Sequence, residues 1–199
     1  NAISHLTTQG ATRIYKMESN YATHMVTLSL KNNSYLEFIP EQIIPYKDSR
    51  FYQKTNLDID DSSTAVYSET IVPGRIAMGE MFDFDICYLK TEGSLNQKIQ
   101  FRDSSLLMPK SQKIQSLAMF DDKTILTSVY VLTKKHVTKI NNLINEMFSN
   151  IQGILGGSSI LPNDLGVSIR ILGNSSEEQK TTIYQILKII RKEILPDYL

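Results

Sequence analysis

Leu28-Ser29-Leu30-Lys31-Asn32-Asn33-Ser34-Tyr35-Leu36-Glu37-Phe38 is echoed 29 positions later by Leu57-Asp58-Ile59-Asp60-Asp61-Ser62-Ser63-Thr64-Ala65-Val66-Tyr67. In each copy apolar residues flank a polar one (Leu28-Ser29-Leu30, Leu57-Asp58-Ile59), a polar turn intervenes, and apolar residues recur at alternate positions after a serine. Each copy then runs into an apolar pair and a proline, Ile43-Ile44-Pro45 and Ile71-Val72-Pro73. Period-two alternation turns one face of a strand to a core and the other to water. A repeat of this length, with strands divided by polar turns, stacks as β-solenoid coils or as layered hairpins. Asn1-Ala2-Ile3-Ser4-His5-Leu6 reads as the end of an earlier unit.

Around these copies the first ~130 residues read as strands rich in β-branched and aromatic residues. Expected strands are Ile3–Thr8, Met25–Leu30, Ser34–Ile39, Phe51–Ile59, Thr64–Val72, Met81–Leu89, Gln97–Phe101, Gln115–Phe120 and Thr124–Leu132. The period then changes. Val137, Ile140, Leu143, Ile144, Met147 and Ile151 recur at helical spacing, predicting an amphipathic helix over about 134–152 that Gly153, Gly156, Gly157 and Pro162 end. One strand follows, Val167–Leu172. Ser175 and Glu178 then form a capping box for a second helix, with Ile183, Ile186, Leu187, Ile190 and Ile194 on one face and Pro196 closing it. The expected fold is mainly β (α+β): a layered or irregular β-helical body over about 1–132, and a helix–strand–helix portion over 133–199, in a single domain.

The chain has 199 residues, 41% of them apolar, with 21 basic and 21 acidic side chains. That balance lacks the basic excess of a nucleic-acid footprint. One cysteine, Cys87, fits a reducing compartment and no disulfide framework. No run approaches the ~20 apolar residues of a membrane helix, and no signal peptide stands at the start. A cytoplasmic protein, with no nucleic-acid or membrane partner, is the expectation. Because the first residue is Asn1 and the chain opens in strand-like sequence, a missing N-terminal portion is also expected.

Motifs for chemistry are sparse. His5, His24 and His136 are not spaced to share a metal, and none neighbours Cys87. Asp58, Asp60, Ser62, Thr64 and Glu69 approach calcium-loop spacing, but Ser63 stands where that loop needs glycine, and a polar hairpin turn accounts for them. Gly153 to Ser159 lacks the lysine of a phosphate loop and follows a helix instead of opening one. The remaining candidate is Ile71-Val72-Pro73-Gly74-Arg75-Ile76-Ala77-Met78-Gly79-Glu80-Met81-Phe82-Asp83-Phe84-Asp85. Glu69, Glu80, Asp83 and Asp85 cluster around it. On a strand, Asp83 and Asp85 share one face and Phe82 and Phe84 the other, which makes either a solvated face with a buried aromatic edge or a carboxylate-lined surface or channel. Carboxylates hold divalent ions weakly beside imidazole and thiolate sets, which suits passing a metal on. Arg75 is placed to pin a carboxylate bidentately next to the Pro-Gly turn.

Four segments, in order, resemble the urease accessory protein UreD (UreH) family. Leu6-Thr7-Thr8-Gln9-Gly10-Ala11-Thr12-Arg13-Ile14-Tyr15-Lys16 is similar to its Thr-x-Gln-x-Ala-Thr-Lys-Val-Tyr segment. Leu36 to Tyr46, containing Pro40 and Pro45, is similar to its Leu-Glu-x-x-Pro-x-Pro-x-Ile-Pro-Phe stretch, with Gln42 in place of the second proline. Phe51-Tyr52-Gln53 and then Pro73-Gly74-Arg75…Gly79-Glu80-x-Phe82 follow. The family's N-terminal Gly-Gly-x-x-x-Gly-Asp segment has no counterpart. The resemblance implies a non-enzymatic scaffold and metallochaperone component, required for nickel incorporation into apo-urease with UreF-like and UreG-like partners. It also implies an internal tunnel, along which Glu80, Glu69 and Asp83 are candidates to meet nickel in transit, with no tightly bound cofactor. Two other classes are weighed beside it. A β-rich interaction module would bind a protein partner without any metal role, and an enzyme would use Glu80 and Asp83 as acid and base in a deep pocket.

Overall fold

The computed structural model describes residues 1–117 and 119–195. The 29-residue echo is a strand register. β3 (Ala22–Leu30) and β6 (Arg50–Ile59) run parallel with Leu28 opposite Leu57, and β4 (Tyr35–Phe38) runs parallel to β7 (Thr64–Ile71) with Tyr35 opposite Thr64. Each coil of chain therefore contributes to both of two sheets.

Side chains of the turns stack in the same register. Asn33 N–H donates to Ser62 Oγ at 2.8 Å and Ser34 N–H to Ser63 Oγ at 3.2 Å. Asp60 accepts from the Asn32, Ser62 and Ser63 amides, which holds its carboxyl well below the usual carboxylate range, the Asn32 bond weighing most. The acidic turn is thus an Asx-type turn.

The winding is irregular. β1 (Ile3–Leu6) pairs with β4 at an offset of 32, Ile3 opposite Tyr35, and β6 pairs with β8 (Ile86–Leu95) at 36, Arg50 opposite Ile86. The extra length in the second case lies in the Val72–Asp85 segment. Short β2 (Thr12–Ile14) and β5 (Ile43–Pro45) join the first sheet. β9 (Lys98–Leu107) then folds back antiparallel on β8 and ends the coiling. β10 (Ile125–Leu132) returns antiparallel to β7, and β12 (Gly166–Gly173) and β11 (Leu155–Ile160) extend that sheet outward. The helical sheet reads β1-β4-β7-β10-β12-β11, the other β3-β6-β8-β9.

Helices α1 (Val137–Ser149) and α2 (Ser176–Ile194) cover the outer face of the first sheet. Ile140, Ile144, Ile183, Ile186, Leu187 and Ile190 pack there on Val129, Val131, Ile169 and Ile171, most of them fully buried. Ser175 caps α2 by accepting from Glu178 N–H at 3.3 Å. Among the described residues no helix is long and apolar enough to cross a membrane.

Several expectations need correction. The strand expected at Met81–Leu89 begins only at Ile86. Phe82 has φ 55°, and its N–H donates to Pro73 O at 2.7 Å, so residues 81–85 form a loop folded back on the Pro73 turn. Asp83 and Asp85 therefore share no strand face. No strand forms over the described part of Gln115–Phe120, because Phe120 and Asp121 N–H donate locally to Ile114 and Ser116 oxygens. The first helix is Val137–Ser149, opening at His136 with φ 50°.

Gly156 and Gly157 do not end that helix, which closes at Ser149 with Asn150 as its cap; they lie in β11, giving a helix–strand–strand–helix portion. A Cβ on Gly156 would stand 2.2 Å from the Phe148 ring, so only glycine lets α1 lie against this strand. Pro196 is outside the described residues.

Candidate functional site

The gap between the sheets is apolar at both ends and polar in the middle. One apolar cluster gathers Phe51, Ile71, Phe84, Cys87 and Leu89; the other gathers Leu57, Ile59, Ala65, Tyr67, Phe101 and Tyr130. Strand alternation explains the layer between them. On β6 the inward residues are Phe51, Gln53, Thr55, Leu57 and Ile59, and on β7 they include Ala65, Tyr67, Glu69 and Ile71. Polar residues interrupt both apolar stripes at the same height.

Gln53 is the hub of this layer. Its Nε2 donates to Tyr67 Oη at 2.9 Å and to Glu69 Oε2 at 3.1 Å. Its Oε1 faces His24 Nδ1 at 3.0 Å, which places the histidine proton on Nδ1. Tyr67 O–H donates to Glu69 Oε2 at 3.2 Å, and Thr55 O–H donates to Tyr67 Oη at the same distance. His24 is exposed, so hydrogen bonds run from the surface to a carboxylate that is only 4% exposed.

On the far side Tyr130 is the register partner of Tyr67, with the two rings stacked 6.3 Å apart. Tyr130 O–H donates to Asp103 Oδ2 at 3.1 Å, and the Arg170 guanidinium pairs with the same carboxylate. Asp103 and Arg170 are part-exposed, so the layer meets solvent here too.

The electrostatics follow from burial. Desolvation pushes the Glu69 carboxyl up to about 7, and its hydrogen bonds and the Arg170 charge only partly oppose that. Both hydrogen bonds to Glu69 among the described residues land on Oε2, leaving Oε1 without one. Thr91, the register partner of Thr55, has a buried hydroxyl without a partner, and Arg170 Nη1 is likewise unpaired. Ionised Glu69, Asp103 and Arg170 carry one net negative charge, which favours a cation in a medium that screens poorly. The Tyr67 hydroxyl that donates to Glu69 in turn accepts from Gln53 and Thr55.

The Pro73 segment builds a different feature. Gly74 has φ 138°, and a Cβ there would lie 3.0 Å from Glu80 O, so the turn requires glycine. Pro73 and Gly74 are buried, while Ile76–Met78 form an exposed 3-10 turn closed by Gly79 at φ 76°. Arg75 Nε donates to Glu80 Oε2 at 2.8 Å, its other arm pairs with Oε1, and the guanidinium lies 4.0 Å over the Tyr46 ring. Glu80 also accepts from Lys47 N–H at 3.2 Å. These bonds, that from Arg75 above all, hold the Glu80 carboxyl below the usual carboxylate range.

Of the three carboxylates expected on a metal path, the structure does not make one cluster. Glu69 is inside, Glu80 is engaged by Arg75, and half-buried Asp83 accepts from Met81 N–H at 3.3 Å. Among the described residues no group of three or more His, Cys, Asp or Glu is placed to hold a metal ion. Of the other motif residues, Gln9 is exposed, Pro45 is buried at the end of β5, and Phe82 packs edge-on to Phe120 at 5.5 Å. Sequence reasoning missed Thr55, Tyr67, Thr91, Asp103, Tyr130 and Arg170. The signal that finds the first two is polarity at inward positions of β6 and β7.

Comparison with known proteins adds an independent observation. Residues 1–197 match the family described as UreD urease accessory protein. The chain is 36% identical over 195 residues to "Urease accessory protein UreD" of Cenarchaeum symbiosum (strain A), covering 97% of this chain and 68% of that one. It is 34% identical over 195 residues to "Urease accessory protein UreD 2" of Brucella canis, covering 96% and 65%. Against "Urease accessory protein UreD" of Yersinia enterocolitica it is 33% identical over 205 residues, covering 98% and 63%. The chain thus spans about two thirds of the length of these relatives.

Proposed function

Because this chain belongs to the UreD family of urease accessory proteins, we propose that it serves urease maturation by passing nickel toward apo-urease, as the scaffold component of a complex with UreF-like and UreG-like partners. Nickel is cargo here, and the chain carries out no catalysis of its own. The single observation that carries this reading is the polar layer between the sheets, with Glu69 at its centre and routes to solvent at His24 and at Asp103. One buried carboxylate, with Oε2 held by Gln53 N–H and Tyr67 O–H and Oε1 free of hydrogen bonds among the described residues, attracts a divalent ion without enclosing it. A closed set of imidazoles or thiolates would retain it. Arg170 stands in the layer as a counter-charge to Asp103 and limits how many cations it admits.

Glu80 belongs to a different part of this function. With its oxygens on Arg75 and Lys47, it fixes the shape of the exposed Ile76–Met78 turn, an element for contact with a partner in the complex. The test is reconstitution in cells that hold urease and the other accessory proteins. With the chain present, purified urease carries nickel; without it, urease is recovered largely as apoprotein. Equal nickel in both cases defeats the reading and leaves a β-rich interaction module with no metal role.

A further inference from the structure

The two sheets are treated unequally. Both helices lie on the β1-β4-β7-β10-β12-β11 sheet, and no described element covers the outer face of β3-β6-β8-β9. Register puts three rungs on that face. The first is Thr23, Tyr52, Tyr88 and Leu106; the second Met25, Lys54, Lys90 and Ser104; the third Thr27, Asn56, Glu92 and Arg102.

The first rung and its surroundings are largely apolar, with Arg50 and Asn20 also lining the groove. The Tyr52 and Tyr88 rings lie 5.3 Å apart, and together with Tyr21 and Ile86 they line a groove of about 500 Å³. Tyr21 is 61% exposed, and Met25 on the next rung 64%. A groove of tyrosines with an adjoining methionine has the composition of interface cores, where aromatic residues and Met are enriched.

The second and third rungs are cationic. Lys54, Lys90 and Arg102 all reach one carboxylate, Glu92, at 3.1, 3.0 and 2.9 Å. Three cations on one anion leave two positive charges in excess, in a chain whose overall formal charge is zero. Like charges gathered at this spacing repel one another, and a further anion relieves that repulsion.

We propose that this face is a docking surface for an acidic segment of a partner protein, whose apolar side chain enters the Tyr52–Tyr88 groove while its carboxylates complete the Lys54–Lys90–Arg102 set. The proposal rests on the reading of the chain as one component of a multiprotein complex. Opposite charges across the contact steer the encounter and fix its register, and the buried aromatic rung supplies most of the affinity.

The test uses the affinity-tagged chain purified from cells that hold urease and its accessory proteins, compared with K54E/K90E and Y52A/Y88A. These side chains lie on the outer face, and thermal melts check that each variant folds. K54E/K90E is expected to lose at least tenfold of one co-purified partner, K54Q/K90Q less, and the wild-type complex is expected to weaken as salt screens the charges. Partner recovery equal to wild type in folded K54E/K90E overturns the docking surface and leaves the proposed function standing. A wild-type chain that captures neither urease nor any accessory protein overturns both. Lysine-dependent binding to anionic lipid vesicles or to nucleic acid, with protein capture unchanged in the variants, also overturns it.

Discussion

Gln53 on β6 donates to Glu69 on β7 at 3.1 Å across the gap between two sheets, a bond between strands that are not paired. It joins the two walls of the fold at the height where both apolar stripes break. The same bond holds a carboxylate that burial pushes up to about 7.

Glu69 consequently makes stability depend on pH. A carboxyl raised in the folded state stabilises fully below its unfolded value near 4.5 and loses that contribution as pH rises through about 7. Glu69→Gln removes the titration. Urea melts at pH 5 and pH 8 are expected to show the variant gaining on wild type by roughly 2 kcal/mol between the two pH values. A constant difference counts against the raised value.

Glu37 is the anchor of α2. It is 1% exposed, accepts from Tyr35 O–H at 2.6 Å and from Arg191 Nε at 2.7 Å, and stands 2.6 Å from His5 Nδ1. Glu37→Ala is expected to cost about 3 kcal/mol, the scale of breaking a buried, multiply bonded pair. Lys180→Ala, which removes an exposed ion pair with Glu41, is expected to cost about 0.5 kcal/mol or less. Thermal melts of the two variants at neutral pH check the contrast.

Two glycines separate space from backbone strain. Gly166 has φ 141°, and a Cβ there would meet Val131 O at 1.8 Å; Gly153 has φ 84° with open space around it. Gly153→Ala is expected to cost about 1 kcal/mol, and Gly166→Ala at least ~3 kcal/mol or failure to fold. Denaturant midpoints give the comparison, and equal costs contradict it.

Much of the fold was legible because a coil repeats itself. The 29-residue echo became the Leu28–Leu57 register, and the Ile and Leu spacing of α1 and α2 marked their buried faces. What escaped was set by contacts distant in sequence. Gly156-Gly157 resembles a helix stop until Phe148 folds over it. Phe82 and Asp83 alternate like a strand, yet the Pro73 carbonyl captures the Phe82 amide. The site divides the same way. Gln53 and Glu69 are polar residues on apolar stripes and visible locally, whereas Arg170 reaches the layer only because β12 lies beside β10.

Helix α1 lies against β11, and one of its side chains takes the backbone pair of Ser158. Asn145 Oδ1 accepts from Ser158 N–H at 2.8 Å, and its Nδ2 donates to Ser158 O at 3.1 Å, in place of a neighbouring strand. Asn145→Ala frees both backbone groups for another chain. Sedimentation velocity is expected to show concentration-dependent dimers in the variant and fewer in wild type; identical profiles contradict the guarding role.

The central claim is that the Glu69 layer carries the metal. The most direct measurement is the nickel content, by mass spectrometry, of urease purified from cells whose only copy of this chain is Glu69→Gln, with co-purification of the accessory complex measured in parallel. The account predicts about tenfold less nickel per urease, equivalent to ~1.4 kcal/mol of lost attraction for the ion, with the complex intact. Wild-type nickel content in that variant would contradict it.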